Sequence, residues 1–118
     1  MKRRTVVKLS LSRAFGVDPF TIEVPATAVR GSLCVTRLYE YNDLFDCAQP
    51  VRGRYRVSHI PSGWSVFPLM YRMTKSQAVA EMRKLAALDG WDAPAAEVKK
   101  NKALKTAVRD IEAELEKQ

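Results

Sequence analysis

Residues Arg54 to Leu69 read RYRVSHIPSGWSVFPL, and the division of this run decides the fold. Arg54 to Ile60 alternates bulky and polar residues with β-branched content, the pattern of a strand. Pro61-Ser62-Gly63 supplies a tight turn, and Trp64 to Leu69 reads as a returning strand. Pro68 has no N–H to give a ladder, so this second arm lies at an edge or leaves the sheet there.

Three further strands precede the hairpin. Val7, Leu9 and Leu11 alternate with Lys8, Ser10 and Ser12. Gly16 and Asp18-Pro19 make a turn, after which Phe20, Ile22 and Val24 alternate with Thr21 and Glu23. Leu33 to Tyr41 is the third, rich in β-branched and aromatic residues. Asn42 to Arg52 reads as a loop, with Leu44 and Phe45 tucked back onto the domain.

Behind the hairpin the period changes. Thr74-Lys75-Ser76-Gln77 fits a capping box, and Val79, Met82 and Leu85 or Ala86 form the apolar stripe of a helix stopped by Gly90. Asp92-Ala93-Pro94 starts a second helix, from about Ala95 to near the end. The expected fold class is α+β: an antiparallel sheet of about five strands followed by two C-terminal helices, the first packed on the sheet. The other face would meet water or a partner. Residues 1–90 would form the core domain and 91–118 a C-terminal helix serving as an oligomerisation segment.

The chain has 118 residues and a net charge of +7, enough for one modest core and a basic surface. The excess sits early: residues 1–72 carry eleven Lys and Arg against five Asp and Glu, whereas residues 73–118 carry nine against eight. A basic excess points to a polyanion. Arg52, Arg54 and Arg56 are spaced by two, which on a strand puts them on one side about 7 Å apart. They are the candidate phosphate-tracking ridge, with Tyr55 and Val57 turned to the core. Lys2, Arg3 and Arg4 form a basic arm of the kind that follows phosphates. Trp64, just past the tight turn, is either a stacking platform for a base or a core residue in register with Val66.

The last helix carries a second pattern. Asn101, Leu104, Val108, Ile111 and Leu115 follow steps of three and four, a short seam with a polar Asn101 position. Lys99, Lys100, Lys102 and Lys105 lie in its first half, and Asp110, Glu112, Glu114 and Glu116 in its second. The helix dipole prefers the reverse order, but antiparallel pairing with a second copy would match opposite charges. The expected oligomer interface is therefore Leu104, Val108, Ile111 and Leu115 in a homodimer, unless the stripe packs on its own sheet.

No enzyme site is legible. His59 is the single histidine and lacks a nucleophile or carboxylate at readable spacing. There is no metal-ligand spacing, glycine-rich phosphate loop or nucleophile elbow, so no catalytic residue, metal or cofactor is expected. Cys34 and Cys47 could form one disulfide, but neither lies in a CxxC motif; Cys34, in a strand-like run, reads as a buried free thiol, and a reducing cytoplasm is the simpler assumption. No apolar run is long enough to span a membrane, and the basic start lacks a signal-peptide core.

The layout Arg54 to Val66 followed by Thr74-Lys75-Ser76-Gln77-Ala78 resembles small accessory proteins of bacteriophages and mobile elements, which pair a hairpin around His-Ile-Pro-Ser-Gly with a capped helix. The resemblance covers about a third of the chain. It implies an accessory factor in the bacterial cytoplasm that binds nucleic acid or a nucleoprotein complex, or an inhibitor of a host defence protein in the manner of an anti-CRISPR. A dimeric module docking on an acidic patch of a host protein is the alternative. The order of strands then helices is also similar to single-stranded-nucleic-acid binders of the transcriptional-coactivator type, an analogy of fold that transfers no residue.

Overall fold

The computed structural model of the protein describes residues 5–11, 20–42, 44–67 and 73–117. The arm Lys2, Arg3, Arg4 and the turn at Gly16 and Asp18-Pro19 lie outside them. The strands are β1 (Val6–Leu11), β2 (Phe20–Pro25), β3 (Ala28–Arg30), β4 (Leu33–Asn42) and β5 (Cys47–His59). The helices are α1 (Lys75–Ala86), α2 (Ala95–Lys100) and α3 (Lys102–Glu116). The chain is α+β and its sheets are antiparallel, but the five-stranded sheet is two sheets: β1 pairs β2, and β3-β4-β5 form the other.

The split follows from where the apolar rows go. Val7 and Leu9 of β1 and Val24 of β2 pack with Ala26 against Cys34 of β4. Leu33, Val35 and Val57 project from the opposite face of the three-stranded sheet into a core with Met82 and Leu85 of α1. The β1–β2 hairpin thus covers the face expected to be open. Leu33, Cys34, Val35 and Thr36 are all buried, which is why β4 reads as a continuous run rather than a clean alternation.

The 54–69 run is only half a hairpin. Ser65 bridges Ser58, and the Val66 N–H donates to the Val57 carbonyl at 2.9 Å. Phe67 then turns into the core, so residues 64–67 form a bridge and a bend rather than the expected strand, and Pro68 and Leu69 of that expectation lie outside the described residues. The chain meets β5 again where Tyr55 bridges Met73. The expected loop from Asn42 to Arg52 is mostly strand, with Asn42 opposite Cys47 and a turn through Leu44, Phe45 and Asp46. Leu44 and Phe45 do not tuck back: they are 82% and 68% exposed at the tip.

The α1 capping box is present with both bonds, Gln77 N–H to Thr74 Oγ1 at 3.3 Å and Thr74 N–H to Gln77 Oε1 at 2.9 Å. Gly90 is not the stop, because α1 is capped by Ala87. Gly90 has φ +107°, and a Cβ there would fall 2.8 Å from Asn101 Nδ2. Asn101 breaks the expected single helix in two and caps α3, its Oδ1 accepting from the Leu104 N–H at 3.0 Å. It is a cap rather than a seam position. Leu104 and Leu115 are buried in the same core as Val35 and Leu85, with Val108 and Ile111 partly buried against it. The stripe of α3 thus packs in part within the chain's own core, where α3 meets α1, and Trp91, Leu104 and Leu115 of residues 91–118 belong to that same core.

Candidate functional site

Arg52, Arg54 and Arg56 do not form a ridge. Gly53 has φ +70°, and the pairing of β4 with β5 shifts register between Arg37 and Tyr39, so the strand bulges and loses its alternation there. Arg52 is exposed, Arg54 half-buried and Arg56 only 2% exposed. Arg56 lies in the part of β5 whose two faces are both covered. Its Nε donates to Ser58 Oγ at 2.7 Å and its Nη2 to the Gly63 carbonyl at 3.0 Å. Burial pulls its pKa below the usual guanidinium range, down to about 10, with the neighbouring Cys34 acting the other way.

The turn held by Arg56 presents Trp64, the sequence-expected nucleic-acid contact that stands at a cavity. Gly63 has φ +72°, and a Cβ there would meet the Lys8 carbonyl at 2.8 Å, so only glycine lets the turn press against β1. The Gly63 carbonyl also accepts from the Ser10 N–H at 3.0 Å. Trp64 follows directly and is 44% exposed.

Trp64 overhangs a cleft of about 370 Å³ between this turn and the helices α2 and α3. The floor is apolar, with Trp91, Val98, Leu104 and Val108. Lys99, Lys105 and Arg109 stand on the helical wall beside Glu112. Lys105 and Arg109 are four apart on α3 and so share a face. The Lys99 ammonium lies 5.0 Å from the Trp64 ring centroid, a cation–π contact worth about 0.5–1 kcal/mol at an exposed site. Among the described residues, none of these three cations has an ion-pair partner.

His59 closes the inner end of the cleft. Its Nε2 faces the Trp91 carbonyl at 3.0 Å, and since a carbonyl only accepts, that nitrogen carries a proton. Its Nδ1 faces Ser62 Oγ at 3.0 Å, and Ser62 Oγ also accepts from the Trp64 N–H at 3.2 Å. Both ring nitrogens are therefore occupied in closing the turn and tying it to residue 91. The Trp91 indole donates to the Leu85 carbonyl at 2.7 Å, which extends the tie to the end of α1. Among the described residues there is no group of His, Cys, Asp or Glu that could hold a metal ion, and no helix is long and apolar enough to cross a membrane.

Lys99, Lys105 and Arg109 were not singled out as one site by the sequence, although the lysine-rich start of the last helix was visible. The missing signal is long-range: the cations matter because Trp64, far away in the chain, is folded over them. No protein-family model, curated protein or solved structure matches the chain.

Proposed function

We propose that the chain is a non-enzymatic binding protein for single-stranded nucleic acid, with the Trp64 cleft as its site. The observation that carries the reading is a half-exposed indole over a cleft whose wall holds three cations without ion-pair partners among the described residues. An unstacked base finds a π-face on Trp64, and flanking phosphates find Lys99, Lys105 and Arg109. A duplex hides its base faces, so the single strand is the form that this site fits. Exposed Arg52 and the arm of Lys2, Arg3 and Arg4 add to the long-range attraction of a basic chain. The accessory role in a phage or mobile element rests on the sequence resemblance alone.

The test is a titration with an unlabelled oligonucleotide while tryptophan emission is followed. Stacking quenches the exposed Trp64 most, and Trp91, buried in the cleft floor, responds less. Most of the quench disappears in Trp64→Phe. Emission that does not change on titration, or a quench that persists in Trp64→Phe, overturns the assignment.

A further inference from the structure

The Trp64 cleft holds a group that a phosphate-binding surface does not need. Glu112 lines it together with the three cations and is half-buried. Its carboxylate has no hydrogen-bond or ion-pair partner among the described residues, although Arg109 stands three positions earlier on α3. Lys105, Arg109 and Glu112 follow steps of four and three and so share one face of the helix. Glu112 lies about two turns beyond Lys105, roughly 10 Å along the axis. The carboxylate therefore stands at the end of the cationic row and not inside it.

Beside a phosphate this group is a liability, since an anion with no cation to cancel it repels a second anion. It becomes useful where the ligand presents N–H donors. A carboxylate is acceptor-only and takes two parallel donors in a bidentate contact. An unstacked base lying on Trp64 leaves its Watson–Crick edge to be read by the wall. Only guanine has two adjacent donors on that edge, at N1 and N2. Adenine and cytosine each set one amino group beside a ring acceptor that a carboxylate repels. Uracil and thymine set a single N3–H between two carbonyls.

We propose that Glu112 makes the cleft selective for guanine, accepting from N1–H and N2–H of a base stacked on Trp64 while the flanking phosphates lie on Lys99, Lys105 and Arg109. The inference rests on the reading of this cleft as a nucleic-acid site and adds which base it takes.

The experiment follows the tryptophan indole N–H signals of the isotopically labelled full chain by NMR during titration with GMP, IMP, AMP and UMP. Trp64→Phe assigns the Trp64 signal. GMP should shift that signal and bind roughly tenfold more tightly than AMP, the scale of one bidentate base contact. IMP lacks only the N2 amino group of GMP and should fall between the two, a comparison that needs no variant. In Glu112→Gln one of the two acceptors becomes a donor, and GMP should bind no more tightly than AMP. The amide spectrum of the variant checks that it is folded. Equal affinity for GMP and AMP in wild type overturns the proposal, and so does a preference that survives in Glu112→Gln.

A second arm compares an oligothymidylate with the same strand carrying one central guanine. Equal affinity for the two strands sinks the guanine proposal alone and leaves the single-strand reading standing. A preference for GMP that depends on Glu112, with no binding of either strand, sinks the single-strand reading alone. No response to any of these ligands ends both.

Discussion

The Arg56 guanidinium donates to the Gly63 carbonyl at 3.0 Å, so a buried cation fastens the turn that carries Trp64. The rest of its hydrogen bonding is incomplete. Nε reaches Ser58 Oγ, but Nη1 has no partner. A buried charge without a carboxylate is a stability cost that the turn geometry has to offset. Arg56 therefore acts as a fastener for the site rather than as a contact to phosphate.

Arg56→Met separates those roles. A hydrophobe of similar length removes the desolvation cost, so stability should hold within about 1 kcal/mol, whereas Arg56→Ala should lose about 2–4 kcal/mol through the cavity that it leaves. Urea unfolding measures both. The salt dependence of oligonucleotide binding should be the same in Arg56→Met as in wild type. A flatter slope would return Arg56 to the phosphate-contacting set.

Gly63→Ala should be costly for two independent reasons. Its φ of +72° lies in the left-handed region, and the new Cβ would fall 2.8 Å from the Lys8 carbonyl. Strain and displacement together should remove about 2 kcal/mol or more. A urea midpoint equal to that of wild type would show that the turn does not press on β1.

Cys34 is fully buried, and burial pushes its thiol from the usual 9.0 up to about 11. The folded chain therefore holds a proton that the unfolded chain gives up. The associated stability is complete below pH 9 and is lost as pH rises towards 11. Cys34→Ala should show a shallower fall in urea midpoint across that window. A chromogenic disulfide reagent should modify the half-buried Cys47 readily in the native protein and Cys34 only after unfolding.

Leu115→Ala tests which surface the α3 stripe covers. Leu115 is buried in the monomer core, so its truncation should cost about 2 kcal/mol or more, and the same loss should be found at every protein concentration. A loss that appears only at concentrations where copies associate would restore the stripe to an interface between them.

What could be read in the sequence is what depends on near neighbours. The alternation of Val7, Leu9 and Leu11 and the box from Thr74 to Gln77 are local patterns, and both are present in the fold. Errors arose where a second element decides the outcome. Arg56 looked solvent-facing because nothing near it in the chain announces that the β1–β2 hairpin covers that side of β5. Gly53 was a warning of a bulge that the spacing of the arginines obscured. Asn101 fitted a seam by its spacing and a cap by its type, and the bond to the Leu104 N–H shows which prevailed. The position of Trp64 just past a tight turn was legible because that turn is local. Its cationic neighbours were not, because α2 and α3 reach it only through the tertiary fold.

The central claim is that Trp64 and the cations beside it bind a single strand, and the most direct test is fluorescence anisotropy of labelled single-stranded DNA and RNA across a salt series. With three phosphates neutralised by Lys99, Lys105 and Arg109, log affinity should fall against log salt with a slope of about −2. Trp64→Ala should weaken binding by about 1–3 kcal/mol with the slope unchanged, and Lys105→Ala/Arg109→Ala should flatten it by about 1.4. No binding at low salt, or a Trp64→Ala affinity equal to that of wild type, would contradict the account.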